Sequence, residues 1–376
     1  MKVAVNARLL LPHRMEGVAR YIYETTRCLV RNNPEVEFHL LFDRPYDKKF
    51  ILGKNVIPHV IGPQSRHPFL WYFWFEKSLA KFFRNNKMDV FYSGDMYLSL
   101  SANVPTLYVS HDLNYIHYPK GIRWSHLKYY QKYMPVFHDN AEHIIAVSQA
   151  TKSDIVKQFK IPVEKISVAG NALPKSIVRI ENNQLEAIRG KLTGGAPYFI
   201  YVGSLHPRKN VDTLIEAFNI FKSEGDHEHK LVIYGRSAWK TSAIKNAYDA
   251  SKYKSDIVFN SGDSISVSEV LSASLALCYI SLFEGFGIPI LEAFECEVPV
   301  ITSDVSSMPE VAGDAALLVD PKNKYMISKA MFKLVDSPAL RKSLILKGKA
   351  RVVDYSWEQS AQLIFQRLND IRSDIK

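Results

Sequence analysis

Short apolar runs alternate with helix-length amphipathic segments along the chain, and they do so twice over. Residues 3–5, 38–42, 90–92, 106–109 and 143–147 read as strands, with helices over 17–33, 69–85, 123–137 and 150–159 between them. The second half repeats the pattern, with strands at 198–202, 231–234, 257–259, 276–280 and 298–301 and helices at 210–222, 267–273 and after Pro289. Parallel neighbours need a crossover long enough to hold a helix, so this alternation predicts parallel sheets covered on both faces. The 376 residues exceed what one core fills, and two domains of roughly 150–200 residues are expected. The polar stretch 175–195, ending in Gly194-Gly195-Ala196-Pro197, reads as the boundary between them.

Ligands of such sheets collect just beyond the carboxyl ends of the strands, where loops and helix starts present unpaired N–H groups. The residues found there carry chemistry. After 198–202 comes Gly203-Ser204-Leu205-His206-Pro207-Arg208-Lys209-Asn210. Gly203 admits a close backbone approach. Arg208 and Lys209 stand at the start of a helix, a poor place for bare cations, which an anion such as a diphosphate would neutralise. A solvated surface pair is the plainer alternative.

The segment Ser281-Leu282-Phe283-Glu284-Gly285-Phe286-Gly287-Ile288-Pro289-Ile290-Leu291-Glu292 sets two carboxylates at the edges of an apolar, glycine-interrupted stretch. A buried carboxylate needs hydrogen-bond donors or a charged partner, and sugar or ribose hydroxyls supply donors. The alternative is a capping acid followed by a solvent-facing Glu292. In the first half, Gly17 opens a helix after the first strand and reads equally as a phosphate approach or a packing turn; no GxGxxG spacing surrounds it. His111, in Ser110-His111-Asp112-Leu113 at a strand end, offers a bond to a hydroxyl or a leaving group, or a structural role, with Asp112 setting its tautomer or capping the next turn. Ser148 reads as a helix N-cap, and Ser306 and Ser307 as caps with hydroxyls to spare.

The block Phe69-Leu70-Trp71-Tyr72-Phe73-Trp74-Phe75 continues as a helix to Arg84. Helical spacing groups Trp71, Trp74, Phe75, Leu79 and Phe82 in one stripe and Lys77, Lys81 and Arg84 in another. That pattern suits a membrane interface and, nearly as well, a core-facing helix. The three cysteines, Cys28, Cys278 and Cys296, form no CxxC pair, which indicates neither a disulfide framework nor a zinc site. A net charge of +10 favours anionic partners. The chain starts directly as a strand and contains no 18-residue apolar span, so a cytoplasmic protein is expected, with room for attachment to the inner face of the cell membrane.

Taken together, these motifs resemble glycosyltransferase family 4, retaining nucleotide-sugar enzymes of the α/β GT-B fold, in which two Rossmann-like domains face each other across a cleft. Glu284 through Glu292 resembles the family's EX7E element, residues 203–210 its diphosphate-binding turn, and residues 303–316 the stretch that follows EX7E. The resemblance implies an acceptor-side domain over 1–180, a nucleotide-sugar domain over 195–355, and a helix over 356–376, after Tyr355, packing back on the first domain. It also implies that Arg208 and Lys209 bind the donor diphosphate, and that Glu284 contacts the transferred sugar beside the N–H groups of Phe286 and Gly287. Glu292 would hold the ribose, His111 would lie near the sugar, and Gly17 would sit in the N-terminal loop.

Three departures stand out. Glu297 occupies a position before Val298-Pro299 where the family commonly has glycine, Glu16-Gly17 replaces paired glycines, and Asn171-Ala172 replaces asparagine-glycine. The expected activity is transfer of a hexose, mannose foremost, from a GDP- or UDP-linked sugar to a glycan or polyprenyl-linked acceptor in cell-surface polysaccharide synthesis. No metal or other cofactor is expected, since two cations adjoin and no spaced aspartate pair is seen. Peripheral membrane contact is assigned to residues 69–84. The rival readings are a phosphorylase or epimerase of the same fold, or a noncatalytic basic protein that binds nucleic acid.

Overall fold

The computed structural model describes residues 1–12, 15, 17–225, 227–236, 241–262 and 265–374. The chain forms two compact units, Met1–Asn171 with Ser356–Lys376, and Ala172–Tyr355.

The first unit is built on seven parallel strands: β1 (Lys2–Asn6), β2 (Glu37–Phe42), β3 (Val56–Val60), β4 (Val90–Ser93), β5 (Thr106–Ser110), β6 (His143–Ala146) and β7 (Ile166–Val168). Their order is β3-β2-β1-β4-β5-β6-β7, with Val3 opposite both Phe38 and Val90. The direction of winding reverses between β1 and β4, which opens a crevice beyond their carboxyl ends. Helix Gly17–Asn32 lays Tyr21, Ile22 and Leu29 on the sheet. Helix Trp357–Ser373, capped by Ser356, belongs to this unit. Trp357 meets Tyr21 edge-on at 5.7 Å, and Ser360 donates to the Gly170 carbonyl at 2.8 Å.

The second unit has six parallel strands, β8 (Tyr198–Val202), β9 (Lys230–Tyr234), β10 (Ile257–Asn260), β11 (Ala276–Tyr279), β12 (Val300–Ser303) and β13 (Ala316–Val319). They run in the order β10-β9-β8-β11-β12-β13, so its reversal lies between β8 and β11. Strands β8 and β11 are buried along their whole length, as the unbroken apolar runs Tyr-Phe-Ile-Tyr-Val and Ala-Leu-Cys-Tyr require.

Two expectations need correction. The polar stretch 175–195 is no linker: Asn182–Thr193 is a helix of the second unit that buries Leu185, Ile188 and Leu192. Arg179 and Arg189 fasten this region by donating to the carbonyls of Ser272 and Ala273 at 2.7 and 2.9 Å. Three apolar residues at helical spacing suffice for docking when the polar ones find carbonyls, so the break falls earlier, after Asn171.

The second correction concerns residues 69–85. Helix Pro68–Phe73 passes into a π-helical turn, Trp74–Leu79, before Ala80–Asn85. The Trp71, Trp74, Phe75 and Leu79 stripe is core. Both indoles donate inward, Trp71 to the Ser65 carbonyl at 2.9 Å and Trp74 to that of Ile61 at 2.6 Å. Among the described residues, no helix is long and apolar enough to cross a membrane.

Candidate active site

The turn after β8 is shaped by backbone. Gly203 (φ +145°) follows β8 and Gly235 (φ +151°) follows β9, and a Cβ on Gly235 would fall 1.9 Å from the Gly203 carbonyl oxygen. The two strand ends are thus pressed together where no side chain fits. His206 then accepts from the Arg208 N–H at 3.3 Å and starts a 3-10 turn, Pro207–Lys209. Asn210, in the left-handed region (φ +60°), closes that turn and leads into helix Val211–Ser223. Its amide donates to the carbonyls of Ile280 and Pro321 at 3.1 and 2.7 Å, while Leu282 N–H donates to the Arg208 carbonyl at 2.8 Å. Arg208 and Lys209 are therefore held against the segment that leaves β11.

Glu284 lies on that segment and is buried. Arg208 Nη1 approaches Glu284 Oε2 at 2.5 Å and also donates to the Phe283 carbonyl at 2.8 Å. Lys209 Nζ approaches Glu284 Oε1 at 2.5 Å, donates to the Tyr279 hydroxyl at 2.6 Å, and lies 4.9 Å from the centre of the Tyr279 ring. Burial pushes the Glu284 carboxyl up, but Arg208 and Lys209 outweigh it and hold the group at about 2. The cations expected to await an anion thus already share one, within the protein. The premise of bare cations is corrected, and the result is a fixed ion cluster at the sheet's reversal point.

Ser306 and Ser307 build the adjoining loop instead of capping a helix. Ser306 accepts from the Glu284 N–H at 3.2 Å and donates to the Glu284 carbonyl at 2.5 Å. Ser307, although at an N-cap position, makes no side-chain cap bond there and donates to the carbonyls of Glu284 and Phe286. Phe286 is buried, edge-on to Tyr355 at 5.4 Å. Gly287 (φ +109°) precedes helix Ile288–Glu295, on which Glu292 is half-buried. The structure therefore gathers Arg208, Lys209 and Glu284 directly and sets Phe286, Gly287 and Glu292 on the same loop and helix.

His111 and Gly17 belong to the first unit. His111 follows β5, packs edge-on against Tyr21 at 5.2 Å, and places Nε2 2.8 Å from the Gly94 carbonyl. A carbonyl only accepts, so Nε2 carries the proton and Nδ1 is the acceptor. Burial lowers the histidine's pKa, so it is neutral at pH 7. Gly94 thus sets the tautomer; Asp112 accepts from the Asn114 N–H at 2.9 Å and caps the turn. Ser148 is the N-cap of Gln149–Phe159, accepting from the Thr151 N–H at 3.0 Å. A Cβ on Gly17 would meet nothing within 4 Å, so packing does not demand glycine there; only its φ of +33° favours it. Glu16 lies outside the described residues.

The amino-acid sequence agrees with a family model described as Glycosyltransferase Family 4 over residues 15–175 and with one described as Glycosyl transferases group 1 over residues 184–351. The chain belongs to glycosyltransferase family 4. Its relatives include the O-antigen chain mannosyltransferase B of Escherichia coli, 27% identical over 279 residues that span 73% of this chain and 72% of the relative. The O-antigen chain mannosyltransferase RfbU of Salmonella typhimurium is 25% identical over 327 residues, 85% of this chain and 86% of the relative. Sucrose-phosphate synthase from Thermosynechococcus elongatus superposes with a TM-score of 0.80 over 99% of both chains at 16% identity. This glycosyltransferase therefore has the GT-B fold expected from its motifs, and the family assignment sets aside the noncatalytic reading.

Sequence reasoning missed Tyr279 and Gly235 in this glycosyltransferase. Tyr279 is hidden inside an apolar strand and carries no distinguishing signal. Gly235 had one: it follows Leu-Val-Ile-Tyr as Gly203 follows Tyr-Phe-Ile-Tyr-Val, in paired strands.

Proposed function

We propose that this glycosyltransferase moves a hexose, mannose foremost, from a nucleotide sugar to a hydroxyl of a glycan or lipid-linked acceptor in cell-surface polysaccharide synthesis, with retention of configuration. The observation that carries the reading is the cluster of half-buried Arg208 with buried Lys209 and Glu284 at the point where the second sheet reverses. Two fixed cations suit a diphosphate, and their shared carboxylate suits the hydroxyls of the sugar attached to it. The mannosyl preference is supported by the names of the O-antigen relatives.

In this reading the bond between the anomeric carbon and the diphosphate oxygen breaks as the acceptor oxygen approaches from the same face. The acceptor proton passes to the departing phosphate oxygen, so no carboxylate nucleophile is required. Arg208 and Lys209 stabilise the charge that builds on the leaving diphosphate, the part a metal ion takes in other transferases. The helix start at Phe286–Gly287 offers N–H groups to the phosphates, Gly203 lets the donor near the backbone, and Glu292 holds the ribose. Neutral His111 accepts at Nδ1 from a sugar hydroxyl, and Gly17 lies in the loop beside the acceptor.

Residues 69–84 give a peripheral membrane contact, through side chains other than the expected tryptophans. Phe69 (69% exposed), Tyr72 (38%) and Phe73 (43%) face outward with Lys77, Lys81 and Arg84. The single acid between Arg66 and Met88, Glu76, is turned inward to the N–H groups of Leu100 and Ser101. An aromatic and basic face of this kind suits an anionic lipid surface at the inner side of the cell membrane.

A thermal-shift panel of UDP-, GDP-, ADP- and dTDP-sugars tests the donor, followed by a product assay with lipid-linked sugars from a membrane extract. One nucleotide sugar is expected to raise the melting temperature, and the product to keep its anomeric configuration in the presence of EDTA. Release or epimerisation of the sugar without an acceptor would favour the phosphorylase or epimerase reading.

A further inference from the structure

Lys209 carries a conflict of duties. Its ammonium touches the Glu284 carboxylate at 2.5 Å, and the same carboxylate must also turn to the hydroxyls of the sugar. A carboxylate drawn to sugar hydroxyls slackens its hold on the ammonium while the leaving diphosphate needs that charge fixed. Lysine is a point charge on a flexible stem and has no direction of its own. A second anchor is required.

Tyr279 supplies one. It ends β11, is buried, and its hydroxyl accepts from Lys209 Nζ at 2.6 Å, with the ring centre 4.9 Å from the same atom. Burial, and then the nearby Glu284 charge, push the phenol's pKa well up, so the hydroxyl keeps its proton at pH 7. A neutral oxygen directs an ammonium without cancelling its charge, whereas a carboxylate does both. The ammonium only donates, so the phenol's own hydrogen points away from it, and Glu284 is the acceptor it meets.

The Tyr279 ring is itself fixed. Its carbonyl accepts from Thr302 Oγ1 in β12 at 2.8 Å, and the Tyr201 ring lies parallel within 14° at 6.5 Å. Tyr201 donates its hydroxyl to the Ser204 carbonyl at 2.9 Å, which ties it to the turn that carries Lys209. A Cβ on Gly287 would come within 3.8 Å of Tyr279 Cε1, so the Phe286–Gly287 loop also lies against this ring. One phenol, held by the sheet, thus reaches both the cation turn and the loop that carries the phosphate-facing N–H groups.

We propose that Tyr279 is a positioning residue whose hydroxyl anchors the Lys209 ammonium for the diphosphate while Glu284 serves the sugar, an assignment that rests on the glycosyl-transfer reading above. Tyr279→Phe keeps the ring and removes one oxygen. With the sugar nucleotide selected by the donor panel, it is expected to lower kcat about 10-fold or more, the scale of one bond to a charged group. The donor KM is expected to stay within about twofold, because the charge itself remains. A double-mutant cycle separates positioning from the general loss of a buried bond: adding Tyr279→Phe to Lys209→Met is expected to lower turnover no further. Tyr198→Phe, which removes a buried hydroxyl bonded to the Val270 carbonyl at 2.7 Å in the same sheet, is the control and is expected to leave kcat unchanged.

A readout without nucleotide is the reductive methylation of Lys209 in the full chain, followed by mass spectrometry. It is expected to run about threefold or more faster in Tyr279→Phe than in the wild type, the scale of one lost hydrogen bond. Unchanged kcat in Tyr279→Phe, additive losses in the cycle, or labelling as slow as in the wild type would each overturn the inference. Faster labelling in a chain that transfers no sugar from any nucleotide would support the anchor and count against glycosyl transfer. Sugar transfer that Tyr279→Phe leaves untouched would do the reverse.

Discussion

Lys209 touches Glu284 and the Tyr279 hydroxyl at once, so its removal is felt in two ways. Lys209→Met is expected to lower turnover at least about 100-fold, the scale of losing one preorganised charge at a leaving group. Its stability cost stays below the roughly 3–5 kcal/mol of stranding a buried charge, because Arg208 still pairs with the carboxylate. Steady-state rates beside thermal melts check both parts. Glu284 carries its own pH signature. Its carboxyl is depressed from the ordinary 4.5 to about 2 in the folded chain, so the stability it contributes is present above the unfolded value and disappears as pH falls through the folded one. Urea titrations should therefore show a loss of stability between about pH 4.5 and 2 in the wild type, reduced in Glu284→Gln.

Glycine positions follow the same local physics. Glu297 stands at φ +57°, the left-handed region that explains the family's usual glycine, and offsets its strain with ion pairs to Lys349 at 2.6 Å and Arg179 at 3.9 Å. Those pairs are partly exposed and worth about 1 kcal/mol at most. Glu297→Gly is therefore expected to be neutral to about 1 kcal/mol stabilising in chemical denaturation. Arg208, Lys209 and Glu284 were legible because each follows a strand end and is out of place for its surroundings. Their mutual pairing was not, since 76 residues separate Arg208 from Glu284 and only the sheet order joins them.

At the scale of elements, most of the strands that were legible are buried along nearly their whole length, and their apolar runs announce them. Strands β3, β7 and β13, each at a sheet edge, were not legible. Val56–Val60 is a partly exposed edge strand containing Pro58 and His59, and Ile166–Val168 is short, at the opposite edge. Neither needs the apolar signature of a strand buried on both faces. Helix periodicity identified the aromatic stripe of residues 69–85 but not its direction, because a core-facing and a membrane-facing stripe read alike. The direction makes opposite substitutions diagnostic. Trp74→Ala empties a fully buried site and is expected to cost about 3–5 kcal/mol in denaturant unfolding. Phe69→Ala with Phe73→Ala is expected to leave stability nearly unchanged and to reduce co-sedimentation with anionic vesicles; unchanged sedimentation would count against the membrane contact.

At the scale of the molecule, strand-helix alternation made both sheets legible, and the chain forms two compact units with helix Trp357–Ser373 belonging to the first. The site is expressed in topology: its cations follow β8, its carboxylate follows β11, and these are the strands between which the second sheet reverses. The net charge of +10 pointed to anionic partners without locating them, and the fold gives two of those cations one buried address. The most direct test of that address compares the nucleoside diphosphate with the corresponding monophosphate, using the base selected by the donor panel, in calorimetric titrations of wild type and Lys209→Met. The wild type is expected to prefer the diphosphate by about 10-fold or more, the scale of one charge-assisted bond, and Lys209→Met to lose most of that preference while binding the monophosphate as before. A preference that survives unchanged in Lys209→Met would contradict the account.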